Sequence, residues 1–184
     1  KYAVIENMNL TGKVKGLNYT GMLAGLNKGK LNNIFIDSAE INGLDNVGSV
    51  AGSSTFEATN ISVKSNVLGN SYVGGIFGSS NDLQLEFAYF MGNIKANGNY
   101  IGGISGSATN TNSTNIFANG SISASNSNYV AGLFGLFSGD LFRSYATINI
   151  LGHSDVAGIV ATNDGSINEV YFSGEIRASM KTSG

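Results

Sequence analysis

The chain lacks cysteine and proline and has little charge, and these shortages remove several classes of function. Without cysteine among its 184 residues it has no disulfide, no cysteine nucleophile and no thiolate metal site. Charged residues make up 12% of the chain and the net charge is -2. No basic block is present, so we expect no nucleic-acid partner. No apolar run approaches the roughly 18 residues that a membrane-spanning helix needs, so we expect no membrane insertion.

What the chain does contain favours short strands and tight turns. It has 26 glycines, and 42% of its residues are hydrophobic, many of them β-branched and in short runs. Glycine supplies turns, and β-branched residues favour strands. The chain begins at Lys1 without methionine and shows no signal peptide. We therefore expect a piece of a longer protein whose export signal or anchor lies outside it.

A repeat of 26 to 29 residues organises the sequence into one domain, residues 1–184. Residues 1–18 supply part of a first unit. Six further units begin with "YTGMLAG" at Tyr19, "NVGSVAG" at Asn46, "YVGGIFG" at Tyr72, "YIGGISG" at Tyr100, "YVAGLFG" at Tyr129 and "DVAGIVA" at Asp155. Such a unit cannot bury its apolar side alone, but stacked copies can.

The second half of each unit alternates apolar and polar residues, which is the pattern of a strand. The unit from Tyr19 has one extra residue there, in "LNNIFIDSAEI". We therefore predict an all-β fold, a β-solenoid (β-helix) of about six to seven coils with columns of like residues inside. The predicted interior columns are Val73, Ile101, Val130 and Val156, and Ile76, Ile104, Leu133 and Ile159. An antiparallel β-sandwich or barrel is the alternative.

"YVGGIFG" from Tyr72 and "SYATINI" from Ser144 resemble the GLUG repeat, a glycine-rich unit of bacterial exported proteins. "AVIENMNLTGKVKG" from Ala3 also resembles repeats in the non-catalytic parts of immunoglobulin-A zinc metalloproteases. The resemblance covers nearly the whole chain. Asn46, and Ala161 where the repeat has glycine, depart from it.

The resemblance implies a non-catalytic repeat module of an extracellular, cell-surface bacterial protein. Such a module acts as a spacer, or as an adhesive face for a host protein, a glycan or a neighbouring domain of the parent chain. The alternative is the substrate-recognition or spacer region of an immunoglobulin-A-type zinc metalloprotease. The catalytic domain would then lie outside this chain, because its H-E-x-x-H motif needs two histidines and His153 is the only histidine.

Candidate catalytic groups are few, and we expect no enzyme activity, metal or cofactor in this fragment. His153, Ser154 and Asp155 suggest a hydrolase triad, but neighbours on an extended chain point to opposite faces, so a polar turn is the favoured interpretation. Two acid pairs could serve a polysaccharide-cleaving solenoid, and solvated surface charge is the alternative for both. The pairs are Asp82 with Glu86 and Glu169 with Glu175. Asp140 and Asp164 each neighbour a glycine in a turn and are weak calcium candidates.

A column of aromatic residues is the main candidate binding feature. One position in the second half of the unit holds Phe35, Tyr89, Phe117, Tyr145 and Tyr171, which we call the aromatic strip. Asn9 and Ser62 occupy the same position in the other units. Alternation predicts that these side chains point outward and their neighbours inward. The strip is then either a contact face for a partner or a self-packing ladder, unless the faces are reversed and the rings lie in the core.

A second aromatic column occupies the first residue of four units. It holds Tyr19, Tyr72, Tyr100 and Tyr129. We expect these side chains to cap turns rather than to bind.

Overall fold

The computed structural model describes residues 3–179, and within this range all regular structure is β-strand. Each coil has three parts: a short strand, a second short strand and a long segment. The described strands are β1 (Val4–Lys15), β2 (Ala24–Asn27), β3 (Lys30–Asn42), β4 (Ala51–Gly69), β5 (Val73–Gly74), β6 (Phe77–Ala96), β7 (Ile101–Gly102), β8 (Ser105–Thr109), β9 (Asn112–Ser123), β10 (Asn128–Ala131), β11 (Phe134–Phe137), β12 (Asp140–Gly152), β13 (Ser154–Ala157), β14 (Val160–Asn163), β15 (Ser166–Ser173) and β16 (Ile176–Ala178).

All pairings between the described strands are parallel, and each strand pairs with its equivalent in the next coil. The long segments stack in the order β1, β3, β4, β6, β9, β12 and then β15 with β16. The short strands β5, β7, β10 and β13 form a second sheet. The β-solenoid prediction is therefore confirmed, and the antiparallel sandwich or barrel is wrong.

The extra residue of "LNNIFIDSAEI" forms a β-bulge. Leu10 pairs with Ile36, but Gly12 pairs with Ala39, so the chain between Ile36 and Ala39 is one residue longer than its counterpart. Ser38, within this bulge, has a left-handed φ of 55°. A bulge absorbs one inserted residue while the register on both sides stays intact, so the interior columns continue through this coil.

Left-handed residues bend the chain at the corners of the coils. The first residue of all six units has a positive φ: Tyr19 (52°), Asn46 (54°), Tyr72 (54°), Tyr100 (63°), Tyr129 (58°) and Asp155 (51°). This conformation costs a residue other than glycine roughly 1–2 kcal/mol, and Asn and Asp tolerate it best. Because all six units bear this conformational cost at the same position, the left-handed backbone there is required by the corner of the coil.

The predicted interior columns lie in the core. Val73, Ile101, Val130, Ile76, Ile104 and Leu133 are fully buried. Val156 and Ile159, their equivalents in the last described coil, are only partly buried and pack against the same core. Full burial of a core residue thus requires a coil on each side of it, as expected for a stack in which each unit contacts its neighbours.

Glycine is required where consecutive coils approach most closely. A Cβ on Gly103 would collide with the carbonyl oxygen of Gly132 and would lie 2.7 Å from the Cβ of Ala118. Gly132 meets Gly158 in the same way one coil further along. The second glycine of "VGGI" therefore recurs because of close backbone approach.

Candidate functional site

The aromatic strip lies on the outer surface of the long segments, one residue per coil. The pairings join Asn9 to Phe35, Phe35 to Ser62, Ser62 to Tyr89, Tyr89 to Phe117, Phe117 to Tyr145 and Tyr145 to Tyr171. The structure therefore places all five predicted residues of the strip in one column, with Asn9 and Ser62 where the sequence put them.

The strip side chains point outward while their neighbours point inward. Phe35 is 49% exposed, Tyr145 40% and Tyr171 63%, whereas Tyr89 and Phe117 are half-buried. The flanking Ile34, Ile36, Ala88, Phe90, Ile116, Ala118, Ser144 and Ala146 are buried. The alternative in which the rings lie in the core is wrong.

Two rings of successive coils contact each other within the strip. The centroids of Phe117 and Tyr145 are 4.2 Å apart, with planes tilted by 30°. Burial raises the pKa of the Tyr89 phenol, and the nearby Tyr145 raises it further. Both effects disfavour the charged phenolate, as expected for a ring covered by its neighbours. The strip is thus partly a self-packing ladder and partly exposed apolar surface.

The second aromatic column forms its own stack at a corner of the coils. The ring centroids of Tyr72 and Tyr100 are 5.1 Å apart and those of Tyr100 and Tyr129 are 4.8 Å apart, with planes within 12° of parallel. All three residues have left-handed φ. Aromatic contacts of about 0.5–1.5 kcal/mol each offset part of the cost of this backbone conformation.

Sequence reasoning missed a column of asparagines at another corner. Asn7, Asn33 and Asn60 have φ values of 56°, 53° and 55°. The Asn33 Nδ2 donates to Asn7 Oδ1 at 3.0 Å, and the Asn60 Nδ2 donates to Asn33 Oδ1 at 3.1 Å. We call these three residues the asparagine ladder. The recurrence of Asn at intervals of 26 and 27 residues was the available sign, because Asn is the side chain that best tolerates left-handed φ.

The same corner column continues with other residue types. Phe87, Asn115, Arg143 and Glu169 occupy it in the later coils, with φ values of 53°, 53°, 46° and 52°. Phe87 is exposed. The position therefore requires a left-handed backbone but no particular side chain. The hydrogen-bonded asparagines occupy only the first three coils of the column.

His153, Ser154 and Asp155 do not form a hydrolase triad. Ser154 Oγ lies 2.7 Å from Asn128 Oδ1 and 2.9 Å from Asp155 Oδ2. His153 Nδ1 lies 3.1 Å from the same Asn128 oxygen. The serine hydroxyl is thus directed at acceptors other than the imidazole, whereas a triad needs the base to accept its proton. This geometry supports the polar-turn interpretation.

The two acid pairs are engaged with different surface partners. Glu169 forms an exposed ion pair with Arg143 at 3.0 Å, and Glu175 forms one with Arg177 at 2.6 Å. Asp82 Oδ2 accepts from Asn81 at 2.7 Å, and Asp82 Oδ1 accepts from Asn110. Exposed ion pairs of this kind contribute at most about 1 kcal/mol.

Glu86 lines a shallow surface groove of about 310 Å³ that contains no residue of the strip. The groove also contains Glu57, Gln84, Asn112 and Asp140. Glu57 is bound to Lys30 at 2.6 Å. Over residues 3–179, no three His, Asp or Glu side chains come together to hold a metal ion, and this includes the surroundings of Asp140 and Asp164.

Comparisons with known proteins gave no match, so the evidence on function comes from the fold and from the surfaces described above. No family model matches the chain, and neither a curated protein nor a solved structure matches it. In the described part of the chain, no helix has the length and apolarity that crossing a membrane requires.

Proposed function

We propose that this chain is a non-catalytic repeat module of an exported bacterial cell-surface protein. It acts as a stiff spacer, and its aromatic strip is a contact face for a host protein, a glycan or a neighbouring domain of the parent protein. The resemblance to GLUG repeats supports the extracellular location.

One observation carries the proposal: the strip is exposed on a continuous parallel stack. Phe35 and Tyr145 present apolar rings to solvent above fully buried core residues, and Tyr171 does so above the partly buried last described coil. Exposed contiguous apolar surface commonly marks an interaction site. The underlying strands are hydrogen-bonded to the coils on both sides, from β3 through β12, so such a face is held rigid and loses little conformational entropy on binding.

The proposal is tested by measuring binding of the intact chain to candidate partners by surface plasmon resonance. Immobilised mucin glycoprotein presents host protein and glycan together, and immobilised immunoglobulin A tests the metalloprotease alternative. A Tyr145→Ser/Tyr171→Ser variant should lose most binding to the partner that the wild type recognises. The control is a Leu26→Ser/Leu68→Ser variant, which removes two exposed apolar side chains outside the strip.

The outcomes separate the two functions. Strip-dependent binding to immunoglobulin A favours the metalloprotease alternative, and strip-dependent binding to mucin favours the adhesive module. Equal binding by both double variants would show that the strip is not an adhesive face and would support a spacer function alone. Turnover of a polysaccharide by the chain would overturn the non-catalytic assignment.

A further inference from the structure

The aromatic strip is interrupted at Ser62, and a slot lies beside Phe35, between the Asn9 and Ser62 positions of the column. Ser62 lies between Phe35 and Tyr89 in the column. With neighbouring strands about 4.8 Å apart, the strands that hold Phe35 and Tyr89 are separated by roughly 10 Å. A small hydroxyl side chain therefore stands where a ring would continue the strip, and the space beside Phe35 remains open.

The slot is an open surface groove of about 330 Å³. It is lined by one phenylalanine, one isoleucine, one serine and four asparagines. They are Asn7, Asn9, Asn33, Ile34, Phe35, Asn60 and Ser62. None of these side chains is charged, so the slot has no counter-ion for an anionic or cationic ligand.

The asparagine ladder forms the polar wall of this slot. Hydrogen bonds between successive amides fix the orientation of Asn33 and Asn60, and left-handed φ values place all three residues at the same corner. Each amide has two N–H donors and two carbonyl lone pairs. Asn7 and Asn33 each use one acceptor, and Asn33 uses one N–H, in the bonds to their ladder neighbours. The Nδ2 of Asn60 donates to Asn33 and also lies 3.4 Å from Asn32 Oδ1. The ordered donors and acceptors that remain, chiefly on Asn7 and Asn33, can serve a ligand.

We propose that the slot binds a neutral sugar residue of an oligosaccharide. A pyranose has an apolar C–H face, which packs on the exposed Phe35 ring, and hydroxyl groups, which bond the amides and the Ser62 hydroxyl. A purely apolar ligand would leave the amides without partners, and a charged one would lack compensation. This inference rests on the proposed contact function of the strip face and narrows its partner to a glycan.

The test fills the slot while leaving the fold intact. Ser62→Phe restores a ring to the column between Phe35 and Tyr89, so the variant should fold at least as stably as the wild type. The control is Ser123→Phe, the same change at an exposed strand position outside the slot. The probes are maltotriose and triacetylchitotriose as neutral sugars and sialyllactose as a charged one, titrated by nuclear magnetic resonance.

We expect at least one neutral trisaccharide to shift resonances of the ladder amides at millimolar concentration, more strongly than sialyllactose does. Ser62→Phe should weaken this binding by about tenfold or more, and Ser123→Phe should leave it unchanged. Thermal unfolding of each variant separates loss of binding from loss of structure.

A second pair of variants tests the amides directly. Asn33→Gly removes an amide but keeps left-handed φ accessible, and Asn115→Gly makes the same change at the same corner outside the slot. Only Asn33→Gly should weaken sugar binding. Equal effects of the two variants would contradict the role of the ladder.

The absence of binding by both neutral sugars at millimolar concentration would overturn the slot proposal. Binding that survives Ser62→Phe would do the same. Neither result would touch the proposed contact function, because loss of partner binding by Tyr145→Ser/Tyr171→Ser is measured at the other end of the strip.

Discussion

The interior coils and the last described coil contain apolar residues at equivalent positions but differ in burial. Val130, Leu133 and Phe134 are fully buried, whereas Val156, Ile159 and Val160, which follow them by one unit, are only partly covered. The sequence pattern is the same in both coils, so the difference comes from the number of neighbours. Stability in this fold is therefore a property of interfaces between coils more than of any single unit.

The largest effect is expected from Phe90→Ala compared with Phe172→Ala. Phe90 is fully buried in an interior coil, and Phe172 occupies the equivalent position in the last described coil, where it is partly exposed. Loss of a buried phenylalanine costs about 3–5 kcal/mol. We expect a cost in this range for Phe90→Ala and about half of it or less for Phe172→Ala.

Urea unfolding followed by circular dichroism measures both changes. Equal losses of unfolding free energy would mean that Phe172 is as well buried as Phe90. That result would break the comparison.

An intermediate effect is expected from Gly103→Ala compared with Gly158→Ala. A methyl group on Gly103 meets the Gly132 backbone, which cannot move without shifting a coil, whereas one on Gly158 meets the ring of Phe172 at 2.5 Å. A partly exposed ring can rotate away. Overpacking typically costs about 1–3 kcal/mol, so we expect a larger drop in melting temperature for Gly103→Ala. Melting curves of the two single variants test this expectation. A larger drop in melting temperature for Gly158→Ala would contradict the view that the interior coils accommodate an added methyl group less easily than the last described coil.

The smallest effect concerns pH and the half-buried ring of Tyr89. Its pKa is raised above the ordinary 10.0 by burial and by Tyr145. The unfolded chain therefore loses this proton at lower pH than the folded chain does. The contribution of Tyr89 to stability is present below pH 10 and decreases as pH rises above it.

Tyr89→Phe should consequently lessen the loss of stability between neutral and strongly alkaline pH. Urea midpoints of the wild type and the variant, measured at several pH values, test this expectation. Identical pH dependence in the two proteins would show that the phenol of Tyr89 is not covered as the structure indicates.

Much of the fold was predictable because the sequence repeat shows which residues occupy equivalent positions in successive coils. The pairing of Phe35, Ser62 and Tyr89 in one column follows from aligning the units, since parallel coils put equivalent residues side by side. Alternation then assigned Ile34 and Ile36 to the core. These are local rules with a fixed period, and a sequence expresses them directly.

The corners were harder to predict. The left-handed φ of Asn33, Phe87 and Arg143 is imposed by closure of the coil, and the three residues share no side-chain property. The contact of Asn33 with Asn7 depends on that backbone state, so the asparagine ladder could not be read from polarity. The slot beside Phe35 depends in turn on the ladder and on the missing ring at Ser62. The partner of the strip is a proposal, because no residue pattern in the chain specifies it.

The parallel stacking of all described coils has a mechanical consequence. Hydrogen bonds between coils run along the axis of the stack, so every interface between coils carries a tension applied along that axis. At an end coil the load is concentrated on the few bonds nearest the pulled strand. Coils should then peel away in sequence, each releasing slack of one repeat at modest force. Such a module would lengthen under shear like an unwinding spring and would limit the force that reaches whatever its face is holding.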